Sequence, residues 1–363
     1  MKQLWILVLC LFALKSEAQQ VPFFVGTYTD KGSQGIYLYM LDLKDGSSEL
    51  YATTVTDNPS FVVKSTDGTR VYAVNEMGDQ RASLSAYTFD GDNLSFVNAL
   101  PTQGSYPCHI AVSPKDPLVI VSNYGGGSAT VYNLDEHGEL AQQVQLLQHT
   151  GSGPNKDRQQ AAHVHSAFFT PDAKHVYIQD LGSDKITIYA VKKDQGLYKL
   201  QEEGSLATPA GGGPRHIVFD KKEKNLYVLL ELTGEVVHYK KSGNTWEILK
   251  VSSINEADFK GGNGGAEIRL SDDGKFLYAS NRGDANSIAL FAVDKHGELE
   301  LKKVYGTEGT GPRNFNFSPD GNYLLVANQT TNNIVVFKRD SHTGELSATD
   351  QEIQVASPVC IAF

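Results

Sequence analysis

Apolar and polar residues alternate along most of this chain in short runs, separated by clusters of Asp, Gly, Asn and Lys. Alternation at period two between turn signals predicts antiparallel strands with one buried face. Helical periodicity is absent. Three segments display the unit most plainly: GPRHIVFDKKEKNLYVLLELTGEVVHYK, GGAEIRLSDDGKFLYASNRGDANSIALFAV and GPRNFNFSPDGNYLLVANQTTNNIVVFKR. Each begins with Gly-Pro or Gly-Gly, runs through an alternating strand into an Asp/Gly/Lys turn, and continues with a strongly apolar strand. A polar turn and a third alternating strand follow.

The unit recurs along the chain. Its opening position falls at Pro59, Pro107, His163, Pro214, Gly265, Pro312 and Pro358, with steps of 46 to 56 residues. A period near 50 built from strands predicts an all-β, seven-bladed β-propeller. After the seventh opening only SPVCIAF-like sequence remains, while VPFFVGTYTDKGSQGIYLYMLDLKDGSSEL near the start lacks the first strand of a unit. One blade is therefore expected to be closed by strands from both termini, which leaves no free sheet edge.

In such a blade the first strand lines the channel and the second returns beside it. The start of one and the end of the other then share a face. Two residues past each opening lie Phe61, His109, His165, His216, Glu267, Asn314 and Cys360, and one residue past lie Ser60, Cys108, Val164, Arg215, Ala266, Arg313 and Val359. The second strands end in Thr27, Asn75, Asn123, Asp180, Leu230, Asn281 and Asn328, followed by Tyr28, Glu76, Tyr124, Leu181, Glu231, Arg282 and Gln329. Carboxylate, imidazole and guanidinium groups are thus expected to converge on one opening, where they would shift one another's pKa values. From these columns Arg313, His109, His216, Glu76, Asn281 and Asn328 are expected to bind substrate. Two long insertions, QHTGSGPNKDRQQAA and NEADFKGGNGG, lead into first strands and should overhang the same opening.

Composition narrows the chemistry. The 363 residues carry a formal net charge of −10 and no Lys/Arg-rich run, which argues against nucleic acid or an anionic membrane as partner. The first residues join Lys2 to an apolar run from Leu4 to Leu14 and then Ser16-Glu17-Ala18. This pattern predicts an export signal over residues 1–18, a periplasmic protein, no membrane association after cleavage, and a propeller domain over 19–363. Cys108 and Cys360 then remain, too few for a disulfide framework. No CxxC, HExxH, P-loop or GxSxG pattern is present, and no cofactor or metal is expected. Nothing signals a symmetric interface, so a monomer is expected.

HSAFFTPD at 165–172, GPRHIVF at 213–219, Glu231 at its strand end, YASNRGD at 278–284 and GPRNFNFSPDG at 311–321 resemble, in that order and spacing, the propeller-type 6-phosphogluconolactonases. That family is related to fungal carboxy-muconate cyclase, and the resemblance covers essentially the whole chain after residue 18. It implies hydrolysis of a lactone ring, or lactonisation as in the cyclase branch, with 6-phosphogluconolactone as substrate. It places the family's catalytic His on His165, its Glu on Glu231 and its two Arg on Arg215 and Arg282. Either Glu231 or His165 would take the proton of an attacking water. Arg215 or Arg282 would face the oxyanion, and Arg313 would hold an anionic tail. An exported chain would instead meet an unphosphorylated or differently charged sugar lactone. Two other readings stand beside this one. A metal-dependent propeller lactonase would use oxygens from Asn75, Asn123, Asn281, Asn328, Asp180 and Glu231. A non-catalytic cell-envelope propeller would bind a partner.

Overall fold

A computed structural model describes residues 20–243 and 245–363, and the expected export signal over 1–18 lies outside them. The described residues form seven four-stranded antiparallel sheets. Six are built from consecutive strands. In the seventh, Pro358–Ala362 pairs with Gln20–Thr27, which is followed by Gly35–Asp42 and Ser48–Val55. Both termini therefore complete one blade, with the C-terminal strand innermost. The other innermost strands are Val62–Lys64, Pro107–Val112, Val164–Phe169, Pro214–Phe219, Gly265–Leu270 and Pro312–Phe317. Each touches the next, and the last touches Pro358–Ala362, which in turn touches the first. The ring is closed.

Alternation along the strands explains the core. Second strands such as Leu226–Leu230 within Asn225–Leu230 send side chains alternately into the two flanking gaps: Tyr227 and Leu229 to one, Leu226, Val228 and Leu230 to the other. Seven apolar clusters result, one in every gap between neighbouring blades. A polar latch crosses several gaps. The buried second-strand tyrosines Tyr72 and Tyr227 donate to the carbonyls of Gly138 and Gly297, in an outer turn of the next blade, at 2.6 and 2.7 Å. Tyr278 does the same to Gly344. Gly344 sits at φ +75°, and a Cβ there would lie 2.5 Å from the Phe276 ring, so that turn accepts only glycine.

Candidate active site

The innermost strands carry a repeated irregularity at their start. Pro107 pairs with Asn123 but His109 with Ser122; Val164 pairs with Asp180 but Ser166 with Gln179. The same slip occurs at Pro214/His216 and Pro312/Asn314. One residue in each is left over: Cys108, His165, Arg215 and Arg313. A β-bulge of this kind redirects a side chain, and here it turns these four toward one end of the channel. His165 consequently stands in register with Arg215 and Arg313. Counting from His163 as the opening of that blade sets His165 beside His109 and His216; the register instead makes Val164 the equivalent of Pro107 and Pro214.

A second feature fixes the facing column. In six blades the residue after the second strand donates its N–H to the carbonyl just ahead of that blade's innermost strand, as in Glu231 to Gly213 at 2.8 Å, Arg282 to Gly264 at 2.9 Å and Gln329 to Gly311 at 2.9 Å. Together the two columns surround a cavity of 950 Å³ at one mouth of the channel. Glu76, His165, Glu231, Arg282 and Arg313 line it. Both insertions contribute, Arg158 from the first and Gly264 from the second.

Glu231 is the hub. Its Oε1 lies 2.7 Å from Arg158 Nη2, and its Oε2 lies 2.9 Å from Arg282 Nη2. Arg215 Nε is 3.2 Å from Oε2, an ion pair without hydrogen-bond alignment. Burial alone would raise the Glu231 carboxyl, but Arg282, Arg215 and Arg158 together outweigh it and hold the group down to about 2. His165 Nε2 is 3.9 Å from the same Oε2, and its buried Nδ1 has no hydrogen-bond partner. Burial, then Arg215, keeps the imidazole well below its usual pKa, so it is neutral at neutral pH. Burial and the neighbouring Arg282 and Arg313 also pull Arg215 down to about 9, where it remains cationic at neutral pH. Arg313 forms no ion pair among the described residues; its guanidinium lies 5.5 Å from the centre of the Tyr28 ring, and Tyr28 donates to Glu76 at 2.8 Å. Four guanidinium groups against two carboxylates leave this end of the channel positive within an acidic protein.

Other expected binding residues lie elsewhere. His109 sits deeper, packed on Phe61 at 4.4 Å, and lines the cavity at the opposite mouth. His216 forms a buried pair with Glu267 at 3.3 Å beneath the site. Asn281 and Asn328 are fully buried and face loop groups: Asn281 accepts from Gly264 N–H at 2.8 Å and donates to Asn255 and Asn263, while Asn328 donates to Thr307 O. They shape the loops around the cavity and do not line it. Asn75, Asn123 and Asp180, the other oxygens of a metal-dependent site, likewise bond to nearby loop and strand groups. Among the described residues no group of three or more His, Cys, Asp or Glu is spaced to hold a metal ion.

Arg158 was not legible as a site residue, since nothing in an insertion's sequence says where its tip lands. Its neighbour places it. Gln159 is fully buried and donates to Leu181 O at 2.9 Å and to Asp184 Oδ1 at 2.7 Å, which nails the loop beside the cavity.

Comparison with known proteins decides the lineage. Residues 22–363 match the family described as lactonase, 7-bladed β-propeller. The chain belongs to that lactonase family. The 6-phosphogluconolactonase of Bacillus subtilis is 38% identical over 346 residues, covering 94% of this chain and 97% of the relative. The periplasmic gluconolactonase of Pseudomonas aeruginosa superposes with a TM-score of 0.89 at 34% identity, covering 94% of this chain and 98% of that one. A solved structure from Bacteroides fragilis reaches 0.90 at 34% identity over 96% and 98% of the two chains.

Proposed function

We propose that this lactonase opens the ring of an anionic sugar lactone, 6-phosphogluconolactone foremost, to the open-chain acid. The observation that carries the reading is the cluster at the channel mouth: three guanidinium groups on Glu231, a neutral His165 beside them, and an unpaired Arg313 facing the same cavity. The relatives named for 6-phosphogluconolactone and gluconolactone support the substrate class.

The chemistry follows from occupancy. Both Glu231 oxygens are taken up by arginines, so the carboxylate is a weak proton acceptor and serves to hold the guanidinium groups in place. His165 carries no charge, and its Nε2, on the Glu231 side of the ring, is the nitrogen open to the cavity, Nδ1 being buried. In this reading the imidazole accepts a proton from water as the water oxygen bonds to the lactone carbonyl carbon. Arg282 and Arg215 face the oxygen that gains charge, an arrangement whose individual donors are worth about 10²–10³-fold in kcat. The ring C–O bond then breaks, and the proton passes from His165 to the departing alkoxide. No metal step is needed, and the three guanidinium groups lining the cavity, with Arg215 buried behind Glu231, would oppose a cation there. Arg313 would hold the phosphate through paired N–H donors. The apolar run and Ser16-Glu17-Ala18 support export to the periplasm.

The test is direct. Ring opening of 6-phosphogluconolactone and of glucono-δ-lactone by the purified protein is measured by proton release, with spontaneous opening subtracted. Turnover of the phosphorylated lactone with the lower KM is expected. If neither lactone opens above background, the reading fails.

A further inference from the structure

We infer that Tyr106 is a specificity-determining residue of this cavity, a fixed aromatic platform on which the carbon face of the sugar ring stacks. The inference rests on the lactonase reading above and adds to it a residue outside the charged cluster. Tyr106 is half exposed, and among the exposed aromatics Tyr51, Phe96 and Tyr106 it is the one that lines the cavity.

Its backbone is the more telling fact. The residue immediately before an innermost strand adopts a left-handed conformation in four blades, Tyr106 at φ +52°, Gly213 at +67°, Gly311 at +74° and Ser357 at +49°, and Asn58, four residues ahead of Val62–Lys64, does so in a fifth at +43°. Each also accepts the N–H of a residue in the facing column, Tyr106 from Tyr124 at 2.9 Å. The geometry is imposed by the fold and suits glycine, asparagine or a small residue. Two of the five positions use glycine. A bulky tyrosine in this setting is strained, and half of its surface remains exposed.

The ring is also seated. A Cβ at Gly78 would fall 2.6 Å from Tyr106 Oη, and one at Gly125 would fall 2.6 Å from its Cδ2. Two neighbouring loops thus leave space for the ring to lie down, while Tyr106 N–H donates to Met77 O at 2.8 Å and ties its base. An aromatic face is electron-rich and attracts the positive edges of C–H bonds. A sugar lactone offers such C–H bonds on one face and hydroxyls around its rim. Neutral polar groups at the same cavity, including Asn286, Thr310 and Gln329, suit those hydroxyls.

The experiment compares Tyr106→Gly, Tyr106→Phe and Tyr106→Trp with the unaltered protein, reading kcat and KM for glucono-δ-lactone, calorimetric affinity for gluconate, and Tm. Glycine relieves the left-handed strain, so Tyr106→Gly should melt no lower than the unaltered protein. Its KM should rise at least five-fold while kcat stays within two-fold, and the Phe and Trp variants should keep KM within two-fold. A KM unchanged in Tyr106→Gly overturns the inference, as does a joint fall of Tm and kcat, which would mark a structural role. If the unaltered protein opens no lactone, the proposed reaction falls and gluconate binding decides Tyr106 by itself: weaker binding in Tyr106→Gly supports the platform, while equal binding or none overturns it.

Discussion

The buried carboxylate of Glu231 and the three arginines around it cannot be altered one at a time with equal consequence. Removing Glu231 strands guanidinium groups in a dry setting, and loss of one member of a buried ion pair costs about 3–5 kcal/mol. Arg282 is the cleaner probe, because its side chain retains 20% exposure. Arg282→Ala is expected to lower kcat/KM at least about 10²-fold with Tm nearly unchanged; steady-state kinetics beside a melting curve check both halves. The pH dependence has a definite sign. With His165 as the proposed neutral base, its pKa depressed below 6.5, activity should hold through neutral pH and fall only in acid, below the ordinary histidine range. Glu231 is held at about 2 against an ordinary 4.5, so its stabilising charge is complete above about 4.5 and is lost as pH falls toward 2. A pH–rate profile and a pH series of melts separate the two effects. Spacing alone brought Glu231, Arg215, Arg282 and Arg313 to one end, while His165 was singled out by the resemblance of HSAFFTPD and its column was misaligned by one residue. His109 and His216 were misplaced because a period-two pattern gives a side chain's face and leaves its depth open.

At the scale of strands and loops, the decisive device is the bulge. It is a mismatch between two paired strands, so one strand's residues do not reveal it, and the long loop before His165 hid a one-residue shift. The loop itself is anchored by its buried glutamine. Gln159→Ala should release Leu181 O and Asp184 from their partner and free Arg158 from Glu231 without touching the cavity. Its kcat/KM is expected to fall by the same factor as in Arg158→Met, with a stability loss of about 1–3 kcal/mol that Arg158→Met does not show. Unequal factors would mean that the loop does more than hold Arg158.

For the whole molecule, blade number and closure by both termini were readable by counting openings, since each repeat announces its turn with Gly, Pro and Asp. What counting could not supply was the link between blades, such as Tyr227 to Gly297, which joins residues far apart in sequence through one buried hydroxyl. Closure predicts a sharp penalty for trimming. Deleting residues 358–363 removes the innermost strand of a blade and exposes the edges of Gln20–Thr27 and the neighbouring cores. The shortened chain is expected to lose its cooperative melt and to aggregate, as checked by circular dichroism and light scattering.

That same pairing sets a timetable. Cys360 meets Gly26 across more than three hundred intervening residues, a contact of the slowest class to form. Until it forms, the Tyr28 ring beside Arg313 belongs to an unfinished blade, whereas the partners of Glu231 all lie between residues 158 and 282. The closing wall of the pocket is therefore expected to be its last part to form, once Pro358–Ala362 pairs with Gln20–Thr27.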